Sequence, residues 1–161
     1  MKFSQAIGIV LKHEGYDKIT NDKDDLGGLT KYGISIRAFP DVDVKNLSED
    51  EAKEIYKKHF WDASKTERLK EELRLDYFDM CVNMGQGNAV KVLQKAINNF
   101  PGKKISVDGR IGRMTIEASN RISVNRLRSF RVLYYAKLVE KNPTLEKFWY
   151  GWYKRSLQSN V

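Results

Sequence analysis

Residues 25–35 read Asp-Leu-Gly-Gly-Leu-Thr-Lys-Tyr-Gly-Ile-Ser, and the three glycines in these eleven residues restrict how this part of the chain folds. Asn and Asp residues precede the stretch. Because glycine, Asn and Asp all favour turns, residues 16–36 are predicted to form a small irregular hairpin with two short β-strands. Before the hairpin, apolar side chains recur at helical spacing from residue 3 to about residue 14, which predicts an amphipathic helix that ends near Gly15. A helix followed by a glycine-rich hairpin is therefore expected.

Helical periodicity accounts for most of the sequence after the hairpin. Ser48 is followed by three acidic residues, a pattern typical of a helix N-terminus. Helices are predicted wherever apolar side chains keep helical spacing: 48–60, 73–84, 89–100, 115–120, 124–140 and the residues after Pro143. The predicted fold class is therefore α+β and mostly α, with the small hairpin next to the first helix.

The charge of the chain is uneven. The 161 residues carry 29 Lys and Arg against 21 Asp and Glu, a net charge of +8. Residues 1–99 hold 16 basic and 17 acidic side chains, whereas residues 100–161 hold 13 basic and 4 acidic ones. Such a basic C-terminal part attracts polyanions, which include nucleic acid, anionic lipid and acidic cell-envelope polymers.

Several classes of protein are excluded by composition. The sequence has no run of the roughly 18 to 20 apolar residues that a membrane span needs, and no signal peptide, so neither stable membrane insertion nor general secretion is expected. Cys81 is the single cysteine, and with His13 and His59 it makes a poor ligand set. We expect no internal disulfide and no metal.

Glu14 continues the apolar stripe of the first helix. At about 100° per residue it lies within roughly 40° of that stripe, so its carboxyl group is predicted to point inward. Burial would raise the pKa of the carboxyl group, as a general acid requires. Alternatively, the helix frays at Gly15 and Glu14 is solvated.

Asp25 and Thr30 lie on the hairpin and could face Glu14 across a cleft. Glycoside hydrolysis needs such a pair, with one carboxylic acid to protonate the leaving oxygen and a second group on the other face of the sugar. Alternatively, Asp25 caps a turn and Thr30 fills a strand position.

At these residues the sequence resembles the glycoside hydrolase family 108 N-acetylmuramidases, phage and bacterial lysozymes of the lysozyme-like superfamily. Two segments carry the resemblance: His13-Glu14-Gly15-Tyr16, which lacks one glycine of the family motif, and the stretch 25–35. It continues at residues 55–61 and 78–85, while 93–96 and 108–115 resemble a predicted peptidoglycan-binding region.

The resemblance implies a lysozyme-like fold in a single domain of residues 1–161. Residues 1–99 would supply the catalytic helix, hairpin and cleft, and residues 100–161 a basic helical part integral to the fold. The implied reaction is cleavage of the β-1,4 bond between N-acetylmuramic acid and N-acetylglucosamine, without metal or cofactor. Glu14 would donate the proton.

Asp25 and Thr30 would stabilise the oxocarbenium-like state or orient the attacking water. A separation of about 5 Å between the carboxyl groups of Glu14 and Asp25 would mean retention, and one of roughly 6.5 to 9.5 Å inversion.

Aromatic and amide side chains are candidate saccharide contacts, because sugars stack on rings and their acetamido groups form hydrogen bonds. The predicted contacts are Tyr16, Tyr32, Tyr56, Trp61, Asn83 and Gln86. Tyr56 and Trp61 could equally be buried packing residues. The segment 108–115 could bind stem peptides, but ordinary turn chemistry before a helix is favoured there.

The predicted partner is the peptidoglycan glycan strand. A non-catalytic peptidoglycan-binding protein on the same fold is the first alternative. A helical nucleic-acid binder is the second, but no helix-turn-helix, zinc-finger or RNA-binding signature stands out, so no nucleic-acid partner is expected. A monomeric phage endolysin is favoured, held in the host cytoplasm until a holin releases it to the cell wall.

Overall fold

The structure is a computed structural model and describes residues 1–16, 18–19 and 28–157. Seven α-helices and one two-stranded antiparallel sheet make up the regular structure of these residues, which confirms the predicted mostly α, α+β class. The chain divides into two compact units, Lys2–His59 and, together with Met1, the chain from Phe60 onward. In the described residues, no helix combines the length and hydropathy of a membrane span.

The first unit contains two helices and the hairpin, namely α1 (Phe3–His13), β1 (Thr30–Lys31), β2 (Ile34–Ser35) and α2 (Glu49–Tyr56). One face of α1 is buried, as its apolar periodicity predicts. The side chain of Ser48 accepts a hydrogen bond from the Glu51 N–H, and the Glu51 carboxylate accepts one from the Ser48 N–H. This capping box fixes the start of α2.

In the described residues, the hairpin consists of two short strands joined by a tight turn, and two short strands were predicted. Thr30 pairs with Ser35, and Lys31 pairs with Ile34, which leaves a two-residue loop. Both loop residues have positive φ, 53° at Tyr32 and 76° at Gly33, so the turn is type I′. Residues 17 and 20–27 of the predicted hairpin lie outside the described part of the chain.

The second unit is helical. Its α-helices are α3 (Glu71–Met84), α4 (Gln86–Asn98), α5 (Arg113–Ser119), α6 (Val124–Lys141) and α7 (Glu146–Leu157). A π-helical turn at Lys57–Asp62 precedes them in the chain, and two 3-10 turns lie at Thr66–Arg68 and Pro143–Leu145. The core consists of buried apolar side chains from α3, α4 and α6, which include Leu73, Tyr77, Met80, Leu93, Ile97 and Leu127.

Candidate active site

The end of α1 positions Glu14. The Glu14 N–H donates to the Val10 carbonyl at 3.0 Å, so helical hydrogen bonding continues up to this residue. The Tyr16 N–H then bonds the Leu11 carbonyl at 2.9 Å, and Gly15 has a φ of 88°. This is a Schellman motif with glycine in the left-handed position. The motif fixes the backbone of Glu14, whose side chain is partly buried.

The turn of the hairpin lies directly against Glu14. A Cβ atom built on Gly33 would lie 2.8 Å from the Cβ and 3.0 Å from the Cγ of Glu14. The same atom would lie 2.6 Å from the hydroxyl oxygen of Tyr56. Only glycine fits this contact, because any side chain would displace the carboxylate-bearing residue or the tyrosine.

Tyr56 holds the hairpin turn from α2. Its hydroxyl donates to the Tyr32 carbonyl at 2.9 Å, and its side chain is 1% exposed. Such a buried ring packs against its neighbours, as the alternative interpretation of Tyr56 stated. Tyr56 was predicted as a saccharide contact, and a positioning role was predicted for neither Gly33 nor Tyr56. The sequence pattern that could have predicted the turn is Tyr32-Gly33 between the two strands. Glycine at the second loop position is typical of a type I′ turn.

Tyr16 and Tyr32 form an aromatic pair beside the helix end. Their rings meet edge to face with centroids 6.2 Å apart. Tyr16 is 41% exposed, whereas Tyr32 is 8% exposed. The Tyr16 hydroxyl donates to Glu49 at 2.8 Å, and this bond raises the pKa of Tyr16. Hydrogen bonds from Lys53 and then from Tyr16 lower the pKa of Glu49.

The predicted second catalytic group is described only in part. Thr30 begins β1 opposite Ser35, is partly buried, and donates from its hydroxyl to the Gly28 carbonyl at 3.3 Å. Asp25 lies outside the described residues. The roles of Asp25 and Thr30 therefore stay predictions.

Three of the predicted saccharide contacts belong to the second unit. Trp61 is 2% exposed and meets the ring of Phe78 edge to face at 5.2 Å, so it packs within this unit. Asn83 accepts a hydrogen bond from the hydroxyl of Tyr135, and Gln86 donates to a backbone carbonyl at 3.2 Å. Asn83 and Gln86 are partly buried, and their saccharide contacts stay predictions.

The segment 108–115 has the bonds of an anchored turn. The Gln94 side-chain amide donates to the Asp108 carboxylate at 2.8 Å, and its oxygen accepts from the Gly109 N–H at 3.0 Å. The bond from Gln94 also lowers the pKa of Asp108. Gly109 has a φ of 76°, so this turn favours glycine. These contacts agree with the favoured interpretation of the segment as turn chemistry.

No group of three His, Cys, Asp or Glu side chains that could hold a metal ion lies within the described part of the chain. Among its described residues, the first unit has two partly buried carboxyl groups: that of Glu49 is bonded by Tyr16 and Lys53, while Glu14 lies against the glycine turn, near the exposed ring of Tyr16. This set of groups suits proton transfer to a bound sugar polymer.

Comparison with known families matches two successive segments. Residues 7–85 match the family described as Glycosyl hydrolase 108, and residues 88–157 match a Predicted Peptidoglycan domain. No curated protein matches the chain. Eleven chains of solved structures match. One of these, SagA from Brucella abortus, is 25% identical with a TM-score of 0.78, and the match covers 98% of this chain and 90% of that chain.

Proposed function

We propose that the protein is a peptidoglycan hydrolase and that it acts as an N-acetylmuramidase, because residues 7–85 match the glycosyl hydrolase 108 family and residues 88–157 match a predicted peptidoglycan domain. The bond cleaved is the β-1,4 linkage between N-acetylmuramic acid and N-acetylglucosamine. Glu14 is the general acid, and the reaction needs no metal or cofactor.

The contact between Gly33 and Glu14 carries this proposal. A general acid must be held in one position to reach the glycosidic oxygen as the bond breaks. Here the Schellman motif fixes the backbone of Glu14, and the glycine turn lies against its side-chain carbons. The hydroxyl of Tyr56 in turn holds that turn in place. The carboxyl group is thus supported by rigid elements on two sides.

The remaining steps need a second group and a saccharide contact. Asp25 or Thr30 stabilises the oxocarbenium-like state or orients the attacking water. Tyr16 is the proposed stacking platform, because 41% of this side chain is exposed while its hydroxyl is fixed by Glu49.

Mass analysis of digested peptidoglycan tests the proposal. After borohydride reduction, the products of the wild-type protein should carry reduced N-acetylmuramic acid ends. Glu14→Gln should lower turnover by about 10²- to 10⁴-fold while the protein still sediments with cell walls. Glu54→Gln is the matched control, since Glu54 is an exposed residue of the same unit and its replacement removes the same charge.

Three results would contradict the proposal in different ways. Full activity of Glu14→Gln would remove Glu14 from the mechanism. Reduced N-acetylglucosamine ends would mean that the other glycosidic bond is cleaved. A wild-type protein that sediments with cell walls and produces neither new reducing ends nor free amines would be a non-catalytic peptidoglycan-binding protein.

The biological setting is proposed as that of a phage endolysin. The protein would act as a monomer that stays in the host cytoplasm until a holin releases it to the cell wall. The net charge of +8 supports attraction to an anionic envelope. Light scattering should give a mass near 18.7 kDa for a monomer.

A further inference from the structure

A surface groove lies between α4 and α6 of the second unit and includes none of the residues assigned to proton transfer. Its volume is about 200 Å³. Apolar side chains from one face of α6 line it, including Phe130, Leu133 and Leu138. Leu133 is 43% exposed in the middle of the helix. An exposed apolar surface with a polar border is typical of a binding site.

The border of the groove is cationic. Lys95 comes from α4, and Lys137 and Lys141 come from α6, where they are four residues apart. All three are exposed, and in the described part of the chain none has an ion-pair partner. Like charges at this spacing repel each other, so an anion bound between them would relieve a cost that the free protein carries.

The chemistry of the groove selects its occupant. Ammonium groups only donate hydrogen bonds, so they favour carboxylates over uncharged sugar hydroxyls and acetamido groups. The apolar floor of the groove, formed by Phe130, Leu133 and Leu138, favours a ligand that carries small apolar groups as well as carboxylates. The volume of about 200 Å³ is below the roughly 300 to 1,000 Å³ of sites that enclose a drug-sized ligand, so the groove holds part of a short peptide and leaves the rest in solvent.

We propose that this groove binds the peptide stem of peptidoglycan, whose alanine methyl groups contact the floor and whose free carboxylates pair with the three lysines. The inference rests on the proposed function, because it takes peptidoglycan as the substrate. The groove lies within residues 88–157, the segment that matches the peptidoglycan domain. The domain would thus recognise the peptides, while the first unit acts on the glycan.

Calorimetric titration with synthetic stem tetrapeptides, carrying either L-lysine or meso-diaminopimelate at the third position, tests the proposal. The wild-type protein should bind at least one of them, more weakly as salt rises. The double variant Lys137→Gln/Lys141→Gln should bind about 5- to 30-fold more weakly, as expected for two exposed ion pairs. Lys147→Gln/Lys154→Gln, which removes the same charge from α7, should bind within about twofold of wild type.

A second variant tests the apolar floor. Leu133→Ser shortens an exposed apolar side chain and leaves the charge unchanged, and it should also weaken binding several-fold. Thermal unfolding followed by circular dichroism shows whether each variant is folded. If one variant unfolds, the other still decides the question.

The outcomes separate this inference from the proposed function. Peptidoglycan cleavage with no tetrapeptide binding, or with equal binding by the two double variants, overturns the groove assignment alone. Tetrapeptide binding without cleavage overturns the proposed reaction alone. Lysine-dependent binding to vesicles of phosphatidylglycerol and phosphatidylcholine, with none to the tetrapeptides, would mean that the groove contacts anionic lipid instead.

Discussion

A side chain at Gly33 would collide with Glu14 and Tyr56, so replacing Gly33 tests whether the hairpin turn constrains the candidate site. Gly33→Ala places a methyl group 2.8 Å from the Glu14 Cβ at a φ of 76°, so we expect a loss of about 1–3 kcal/mol in the free energy of unfolding. Turnover should fall as well, because Glu14 must shift. Urea unfolding and peptidoglycan turnover measure the two effects.

Gly8 provides the matched control for Gly33. It lies within α1 with no heavy atom within 4 Å of a built Cβ, so Gly8→Ala should stabilise the protein by about 0.5–1 kcal/mol. If both variants behave alike, the contact between the hairpin turn and Glu14 does not constrain the site.

The reactivity of the Cys81 thiol reports whether the interior of the second unit is closely packed. It is completely buried in α3, and burial raises the pKa of its thiol to about 12. Because the thiolate is the nucleophile, Cys81 should not react with a disulfide reagent at pH 8 until the chain unfolds. In denaturant one thiol per chain should react.

An exposed cysteine supplies the positive control for this labelling. Ser106→Cys adds a thiol at an exposed position, and it should react within seconds to minutes in the folded protein. Rapid reaction of the wild-type protein would mean that α3 opens readily.

The capping box of α2 stabilises a helix whose two ends both contact the candidate site. The helix begins at Glu49, which holds Tyr16, and ends at Tyr56, which holds the hairpin turn. Ser48→Ala removes the side-chain acceptor of the cap and should cost about 1 kcal/mol of unfolding free energy.

Ser4→Ala is the control for the cap. Ser4 is exposed within α1 and is not its N-cap residue, so the change should stay within about 0.5 kcal/mol. Urea unfolding compares the two. Equal stability of both variants would show that the cap adds nothing.

Local sequence patterns predict where several helices begin and end. The N-cap at Ser48 and the helix end before Gly15 were predicted, because capping residues and glycine act within one turn. The gap between the predicted helices 73–84 and 89–100 is confined to Gly85, which has a φ of 80°, and α4 begins at Gln86. The π-helical turn Lys57–Asp62 was not predicted, since six residues are too few to distinguish its period from that of an α-helix.

Within the candidate site, the partly buried position of Glu14 follows from its place on the apolar stripe. Its contact with Gly33 did not follow, because the two residues are distant in sequence and meet only through the packing of the hairpin. The burial of Trp61 depends in the same way on its neighbour Phe78. Local periodicity cannot say which aromatic ring a tertiary neighbour covers.

For the whole molecule, the charge count of the sequence overstates the basic surface. Arg131 and Arg155, both from the basic C-terminal part, pair with Asp79, and Arg128 pairs with Asp76. These arginines connect α6 and α7 to α3 and are buried or nearly so. The cations left on the surface, among them those of the groove, are the ones available to an anionic envelope.

The pairing at Asp79 gives the strongest stability prediction. Arg131 donates to the Asp79 carboxylate at 2.6 Å with both side chains 0% exposed, and Arg155 donates to it at 2.9 Å. Asp79→Asn leaves two guanidinium groups without their counter-charge, so the free energy of unfolding should fall by about 3–5 kcal/mol. The exposed pair of Arg113 and Glu117 is the control, since Glu117→Gln should cost less than about 1 kcal/mol. Urea unfolding followed by tryptophan fluorescence measures both, and equal losses would show that burial adds nothing to the pair at Asp79.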